Sequence, residues 1–399
     1  MNILFLTLSH INTIEERGIY TDLLRKFRDE GHEVTIVTPL ERRLGVDTNM
    51  LKVDGVSILQ VKTLNITKSH IVEKGIATLS IEYQYLRAIK KYLKDTQFDL
   101  VLYSTPPITF EKVINYIKKR DSAYAYLLLK DIFPQNAVDM KMMKKGGLLH
   151  RFFERKEKRL YSISDTIGCM SPANVDFIVK NNPEIDKSIV VVNPNSIEPL
   201  YIEYTKEEKN RVKTKYNLPL DKKIFVYGGN LGIPQGIDFL IETIQLLQEP
   251  AAHILIVGSG TQFQKLKDWF DAHKPSNATL LSGLPKNEYD TLLAACDIGM
   301  IFLHKDFTIP NFPSRLLTYI EMKKPVLAAT DVNTDIGKII EEAGCGYWVE
   351  SGDLNAIQNK ISQLCKDDLT ALGVKGWELL QKEYLVERSY NLILDKVNV

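Results

Sequence analysis

The sequence predicts an α/β protein built from two Rossmann-like domains, each a doubly wound parallel sheet, facing a central cleft. Three observations lead there. Strand-like apolar runs alternate with helix-like runs along almost the whole chain, the pattern left by parallel strands joined through crossover helices. The alternation breaks at "NPNSIEPLYIEYTKEEKN" (193–210), with two prolines and a charge run, and then starts again. The 399 residues are too many for one ordinary core and suit two. The expected division is 1–197 and 198–379, with a terminal helix over 380–399 packing back on the first domain.

The first half opens with "NILFLTL", an apolar run too short to be a signal sequence and without a basic leader. A helix-like "GIYTDLLRKFRDEGH" and the strand-like "EVTIVTP" and "VSILQVKTL" follow. After the helical "IATLSIEYQYLRAIKKYLKD" come "DLVLYSTP", "EKVINYIKKRD" and "AYAYLLLKDIFP". A basic helical stretch, then "DTIGCMSP", "PANVDFIVKNN" and "SIVVVNPNS" close this half. The second half runs "KIFVYGG", "HILIVGSG", "ATLLSG", "IGMIFL" and "PVLAAT", each followed by a helix-like segment. In such sheets ligands meet the carboxyl ends of the strands, so the loops there are where function is expected.

Composition narrows the classes. Lys+Arg is 51 and Asp+Glu is 50, a net charge of +1, which gives no footprint for nucleic acid. Cys169, Cys296, Cys345 and Cys365 form no CxxC pair and read as reduced, buried thiols of a cytoplasmic protein. No apolar run approaches the length of a membrane span.

The segment "IFVYGGNLGIPQGIDFLIETIQLL" (224–247) places Gly228, Gly229, Gly232 and Gly236 between a strand and a helix. Such a turn serves either tight helix–strand packing or an anion held at the helix start. It lacks the Lys of a phosphate-binding P-loop and the spacing of a dinucleotide fingerprint. The next strand ends in Gly258-Ser259-Gly260. Further on, "NFPSRLLTYIEMKK" sets Ser314 as a candidate hydroxyl cap and Arg315 in the first helical turn. A cation there opposes the helix dipole; a ligand phosphate would offset that penalty. Thr318 and Glu321 follow on roughly the same helical face, where a hydroxyl or carboxylate could take hydrogen bonds from ribose. His10 and His304, each after a strand-like run, are further candidates.

Taken in order, "GGNLGIPQGID", "VGSG", "LSGLPKNEYDTLLAACDIGMIFL", "FPSRLLTYIEMKKPVLA" and "EEAGCGYWVESGD" resemble GT-B glycosyltransferases of the retaining family 4, closest in flavour to bacterial capsule and O-antigen enzymes. "YLLLKDIFPQNAVDM" resembles an amino-terminal segment of that subgroup. The resemblance implies transfer of a hexose or N-acetylhexosamine from a nucleotide-sugar, usually a UDP-sugar, to a lipid-linked or oligosaccharide acceptor. It implies that the glycine loop (Gly229, Asn230, Gly232, Gln235) and Gly258 hold the diphosphate with Arg315, and that Leu284 and Pro285 meet the base. Gly18 would sit in the loop that closes over the donor, and Asp131 on the acceptor side, where it would orient or deprotonate the acceptor hydroxyl. The departures are Pro310 and Thr318 where many members carry a Glu pair, which leaves Glu321, one turn later, to be read either as the substitute for the ribose contact or as a solvated helix residue. No Asp-x-Asp occurs, so no metal or other cofactor is expected.

The basic stretch 141–161 holds eight Lys/Arg, and Leu148, Leu149, Phe152, Phe153 and Leu160 can share one helical side. Two uses fit: core packing with a solvated basic edge, or docking of Lys144, Lys145, Arg151, Phe152, Phe153 and Arg155 on an anionic membrane, peripheral to its inner face. Two other activities stay compatible with the sequence: a sugar-nucleotide epimerase of the same fold, and a catalytically weak nucleotide-binding partner of another transferase.

Overall fold

The computed structural model of the chain describes residues 1–65 and 71–397. They form two units, Met1–Glu198 with Leu385–Val399, and Pro199–Tyr384.

The first unit is built on an eight-stranded sheet among the described residues. Its strands are β1 (Asn2–Leu6), β2 (Glu33–Glu41), β3 (Asn49–Val53), β4 (Val56–Thr63), β5 (Leu100–Ser104), β6 (Tyr124–Leu129), β7 (Thr166–Cys169) and β8 (Val190–Val192). They lie in the order β3-β4-β2-β1-β5-β6-β7-β8, so the winding reverses between β1 and β5. All neighbours are parallel except β3 and β4. Central strands such as β5 are buried at every residue, which is why they read as unbroken apolar runs. Strand β3 is an addition to the sequence-based expectation. Its signal is the Asp54-Gly55 pair, both at positive φ (54° and 77°), a two-residue hairpin turn.

The helix Val386–Val397 belongs to this unit. Its Tyr390 and Ile393 are buried among Phe5, Phe27, Ile36 and Leu102, and the Tyr390 ring meets Phe27 edge-on at 4.9 Å.

The helix Leu148–Ile163 departs from expectation in how its apolar residues are spent. Phe153 and Leu160 are buried, at 9% and 0% exposure. Leu148, Leu149 and Phe152 stand outward at 89%, 56% and 36%. The apolar residues therefore lie on two faces, and among the described residues nothing covers the outward one.

The second unit carries a six-stranded, all-parallel sheet among the described residues. Its strands are β9 (Lys223–Asn230), β10 (Ala252–Ser259), β11 (Ala278–Ser282), β12 (Ile298–Phe302), β13 (Val326–Thr330) and β14 (Gly346–Glu350). The order is β11-β10-β9-β12-β13-β14, and the winding reverses between β9 and β12. The crevice outside such a reversal point is where doubly wound sheets take ligands. The glycine loop follows β9 and the Arg315 segment follows β12, so the topology alone brings the two together.

Among the described residues no helix is long and apolar enough to cross a membrane.

Candidate functional site

In the second unit the loop after β9 is made by backbone crowding. A Cβ on Gly258 would lie 2.1 Å from the carbonyl oxygen of Gly229, so β9 and β10 can approach there only without a side chain. Gly229 sits at φ 123°, a conformation that excludes an L side chain without strain. The turn then runs through Ile233–Gln235 into the helix Ile237–Gln245, with Gly236 left-handed at φ 57°. Three backbone bonds pin it: Leu231 N–H to Ser259 O (2.9 Å), Gln262 N–H to Leu231 O (2.8 Å) and His304 N–H to Pro234 O (2.9 Å).

Asn230 and Gln235 brace this loop. The Asn230 Nδ2 donates to Gln235 Oε1 (3.0 Å), and the same oxygen accepts the Gly232 N–H (3.1 Å). That amide is therefore satisfied within the loop, and the expectation that it meets a phosphate directly does not fit this arrangement. Leu284 is half-buried and Pro285 exposed after β11; Ser259 lies alongside, 3.5 Å from where a Gly283 Cβ would stand.

Arg315 begins the helix Arg315–Glu321. A Cβ on Gly229 would come within 3.4 Å of its Nη2, and its Cζ lies 4.3 Å from the centre of the Tyr227 ring. Nη1 is buried without a hydrogen-bond partner. A guanidinium head taken out of water with a free donor is costly to keep unless something occupies that donor. The floor beneath is aromatic. The Tyr319 hydroxyl accepts the Gly228 N–H (3.3 Å) and donates to Met300 O (3.1 Å). Tyr289 fills the space a Gly228 Cβ would need, at 1.8 Å from its hydroxyl. Nothing in the sequence marks these tyrosines except the glycines that stand opposite them.

Three other residues of this segment behave differently from one another. Ser314 makes no capping bond, because its backbone is already helical (φ −62°, ψ −18°). Thr318 is half-buried one turn beyond Arg315. Glu321 is only 4% exposed, and its Oε1 accepts the Leu200 N–H at 2.6 Å. That bond ties Glu321 to the start of this unit, and a carboxylate has further lone pairs on which a ribose hydroxyl could also be held. His304 is tied into its own loop, where its Nδ1 accepts the Asp306 N–H at 3.2 Å.

In the first unit the strand ends carry side chains rather than bare backbone. Asp131 follows β6, and its carboxylate is chelated by Asn136 Nδ2 at 2.8 and 2.9 Å. Burial pushes its pKa up to about 6, against the Asn136 bonds that pull it down. Glu157, on the helix Leu148–Ile163, is raised to about 7 by burial and accepts the Tyr161 hydroxyl at 2.9 Å. Lys130, beside Asp131 in sequence, is lowered to about 7 by burial. Lys130 and Glu157 escaped sequence reasoning because nothing local marks a charge as buried. Gly18 lies in a loop fastened by Asp22, whose Oδ1 accepts the Gly18 N–H (3.0 Å) and whose Oδ2 accepts the Glu198 N–H (3.0 Å). Arg25 closes the knot on Asp22 (2.8 Å) and Glu198 (3.0 Å). His10 is exposed, its Nδ1 3.0 Å from Pro39 O.

All four cysteines are free. Among the described residues no three His, Cys, Asp or Glu are grouped to hold a metal ion.

Residues 208–375 match the family model for glycosyl transferases group 1. This match replaces the family 4 assignment drawn from the sequence motifs. The chain is 25% identical to "Probable glycosyltransferase WbjE" of Pseudomonas aeruginosa, over 79% of this chain and 78% of that one. It is 24% identical to WcaI of Escherichia coli K12, described as a colanic acid biosynthesis glycosyl transferase, over 61% of this chain and 59% of that one. The fold is shared with Anabaena Alr3699/HepE, solved in complex with UDP and glucose, at TM-score 0.71 and 13% identity, covering 100% of this chain and 99% of the other. The chain is thus a glycosyltransferase of GT-B fold, related to transferases of polysaccharide biosynthesis.

Proposed function

We propose that this chain transfers a hexose or N-acetylhexosamine, with retention of configuration, from a UDP-sugar to a lipid-linked glycan at the inner face of a membrane. The observation that carries the donor half is the buried, unpartnered Nη1 of Arg315 next to Gly229, at the reversal point of the second sheet. A diphosphate is the group that such a cation and a side-chain-free loop suit together. In this reading Gly229, Gly258 and Arg315 border the diphosphate, Asn230, Gly232 and Gln235 hold the loop's shape, Ser314 and Thr318 flank it, and Leu284 and Pro285 meet the base. Gly18 belongs to the loop that covers the donor. The solved HepE complex with UDP-glucose supports the choice of nucleotide.

As the sugar leaves, negative charge builds on the diphosphate. Fixed donors placed before the reaction stabilise that charge without reorganising, usually the largest electrostatic contribution an enzyme makes. Asp131 is the candidate on the acceptor side. A carboxyl titrating near 6 is mostly ionised at neutral pH, and can hold an acceptor hydroxyl and take its proton.

The acceptor's lipid rests on the helix Leu148–Ile163. Exposed Leu148, Leu149 and Phe152 stand among Lys144, Lys145, Arg151 and Arg155, a combination suited to an anionic bilayer surface. Phe153 does not take part, since it is buried against Phe133 at 5.0 Å between ring centres. The protein would then be cytoplasmic and peripheral. The deciding experiment supplies UDP-sugars with and without an extract of lipid-linked glycans and follows free UDP. Release that depends on the extract supports a transferase. Sugar interconversion without UDP release, or UDP binding with no turnover under any acceptor, would replace this reading by an epimerase or by a binding partner.

A further inference from the structure

Lys130 is the first residue after β6, and its side chain reaches across the ends of β7 and β8. Its Nζ lies 3.4 Å from the carbonyl oxygen of Asn193, just past β8, and Cys169 at the end of β7 is its electrostatic neighbour. One long bond leaves an ammonium with three donors poorly served. No carboxylate lies within 4.0 Å of it among the described residues, whereas Lys118 and Lys156 of the same unit reach Asp165 (2.8 Å) and Glu82 (3.1 Å). Asp131 does not serve as its partner, because both oxygens of that carboxylate are held by Asn136. Two residues beyond Asn193, the Oδ1 of Asn195 is buried with no hydrogen-bond partner. A cation without an anion thus bonds the chain just past β8, two residues before an acceptor without a donor. A sugar bearing a negative group would supply both missing partners.

We propose that Lys130 is the docking point for an anionic group, a phosphate or a carboxylate, on the acceptor, with Asn195 taking a neighbouring hydroxyl. The proposal rests on the first unit being the acceptor side. Burial disfavours the ammonium and lowers its pKa to about 7. The titratable neighbours do not restore it. The Cys169 thiol is pushed up to about 12 by burial and stays neutral. An arriving anion recharges the amine, so binding above neutral pH takes up a proton.

The test titrates full-length protein, saturated with UDP so that Arg315 is engaged, with inorganic pyrophosphate, glucuronate and glucose. Calorimetry at pH 8 in two buffers of different ionisation heat reads both affinity and proton uptake. The expected result is binding of at least one anion, with proton uptake, about tenfold or more weakened in Lys130→Gln and largely kept in Lys130→Arg. Tighter pyrophosphate assigns the group to a phosphate linkage; tighter glucuronate assigns it to an acidic sugar. No anion binding, or equal affinity and proton uptake in wild type and Lys130→Gln, overturns the proposal. UDP binding measured beforehand on each variant confirms folding and tests the donor reading separately. If Lys130→Gln fails to fold, Lys130→Met and Lys130→Arg are compared in the same way.

Discussion

The two units end their strands in opposite ways. After β9 and β10 the chain is stripped of side chains, and Gly229 and Gly258 touch backbone to backbone; its charge comes from Arg315 on a separate helix. After β6 the chain presents Lys130 and Asp131, both with pKa values moved toward neutrality by burial. The first arrangement is stiff and offers fixed dipoles and one permanent cation, which suits a diphosphate that keeps its charge throughout. The second offers groups that gain or lose protons near pH 7, which suits hydroxyls that must be deprotonated. The proposed transfer draws on both, one from each sheet.

The comparison can be broken at several points. The largest effect is expected at the surface of the first unit. Changing Lys144, Lys145, Arg151 and Arg155 together to Gln removes roughly 1 kcal/mol each of attraction to an anionic surface. Flotation with anionic vesicles at low salt should fall a hundredfold or more, while UDP affinity stays the same. Wild type that ignores such vesicles would return the exposed face of this helix to some other use.

Next comes Gly258→Ala. The added methyl would sit 2.1 Å from Gly229 O, backbone that cannot swing aside. A loss of about 1–3 kcal/mol in unfolding free energy is expected, with UDP affinity falling as the loop opens. Unchanged affinity would mean that the spacing of β9 and β10 does not shape the donor site.

Asp131→Asn comes third. The folded pKa, about 6, lies above the unfolded carboxyl value, so the proton binds more tightly in the folded protein. Stability from this group is therefore full at low pH and is lost as pH rises toward 6. Asn does not titrate. The variant should gain on wild type between about pH 4 and 6, by about 3 kcal/mol at the plateau, and lose turnover without losing UDP binding. A parallel pair of stability–pH curves would show that Asp131 is not buried enough to matter. The smallest effect belongs to Glu321→Gln, which keeps an acceptor for Leu200 N–H. It should cost about 1 kcal/mol or less and leave UDP affinity unchanged. A marked loss for UDP but not for UDP lacking its ribose hydroxyls would assign Glu321 the ribose contact.

The paired Rossmann-like architecture is legible in the sequence because parallel strands buried on both faces leave unbroken apolar runs, as in "DLVLYS" and "HILIVGS". The β3–β4 hairpin is less visible, since β3 is only half-buried and its residues do not form such a run. Arg315 stands out locally, as a cation at a helix start. The state of Lys130 and Glu157 depends on what packs over them from other strands and helices, and no window of sequence contains that. The helix at 148–163 shows the same limit: helical period says which residues share a side, but not which of two apolar faces the fold covers.

The central claim is that Arg315 and the glycine loop hold the charged part of the donor. Calorimetric titration of wild type and Arg315→Ala with UDP and with uridine tests it most directly. Loss of a charge-assisted bond to phosphate, worth about 1.5–3 kcal/mol, should weaken UDP ten- to a hundredfold and leave uridine unaffected, with the melting temperature near that of wild type. Equal UDP affinity in the two proteins, or an equal loss for UDP and uridine, would contradict it.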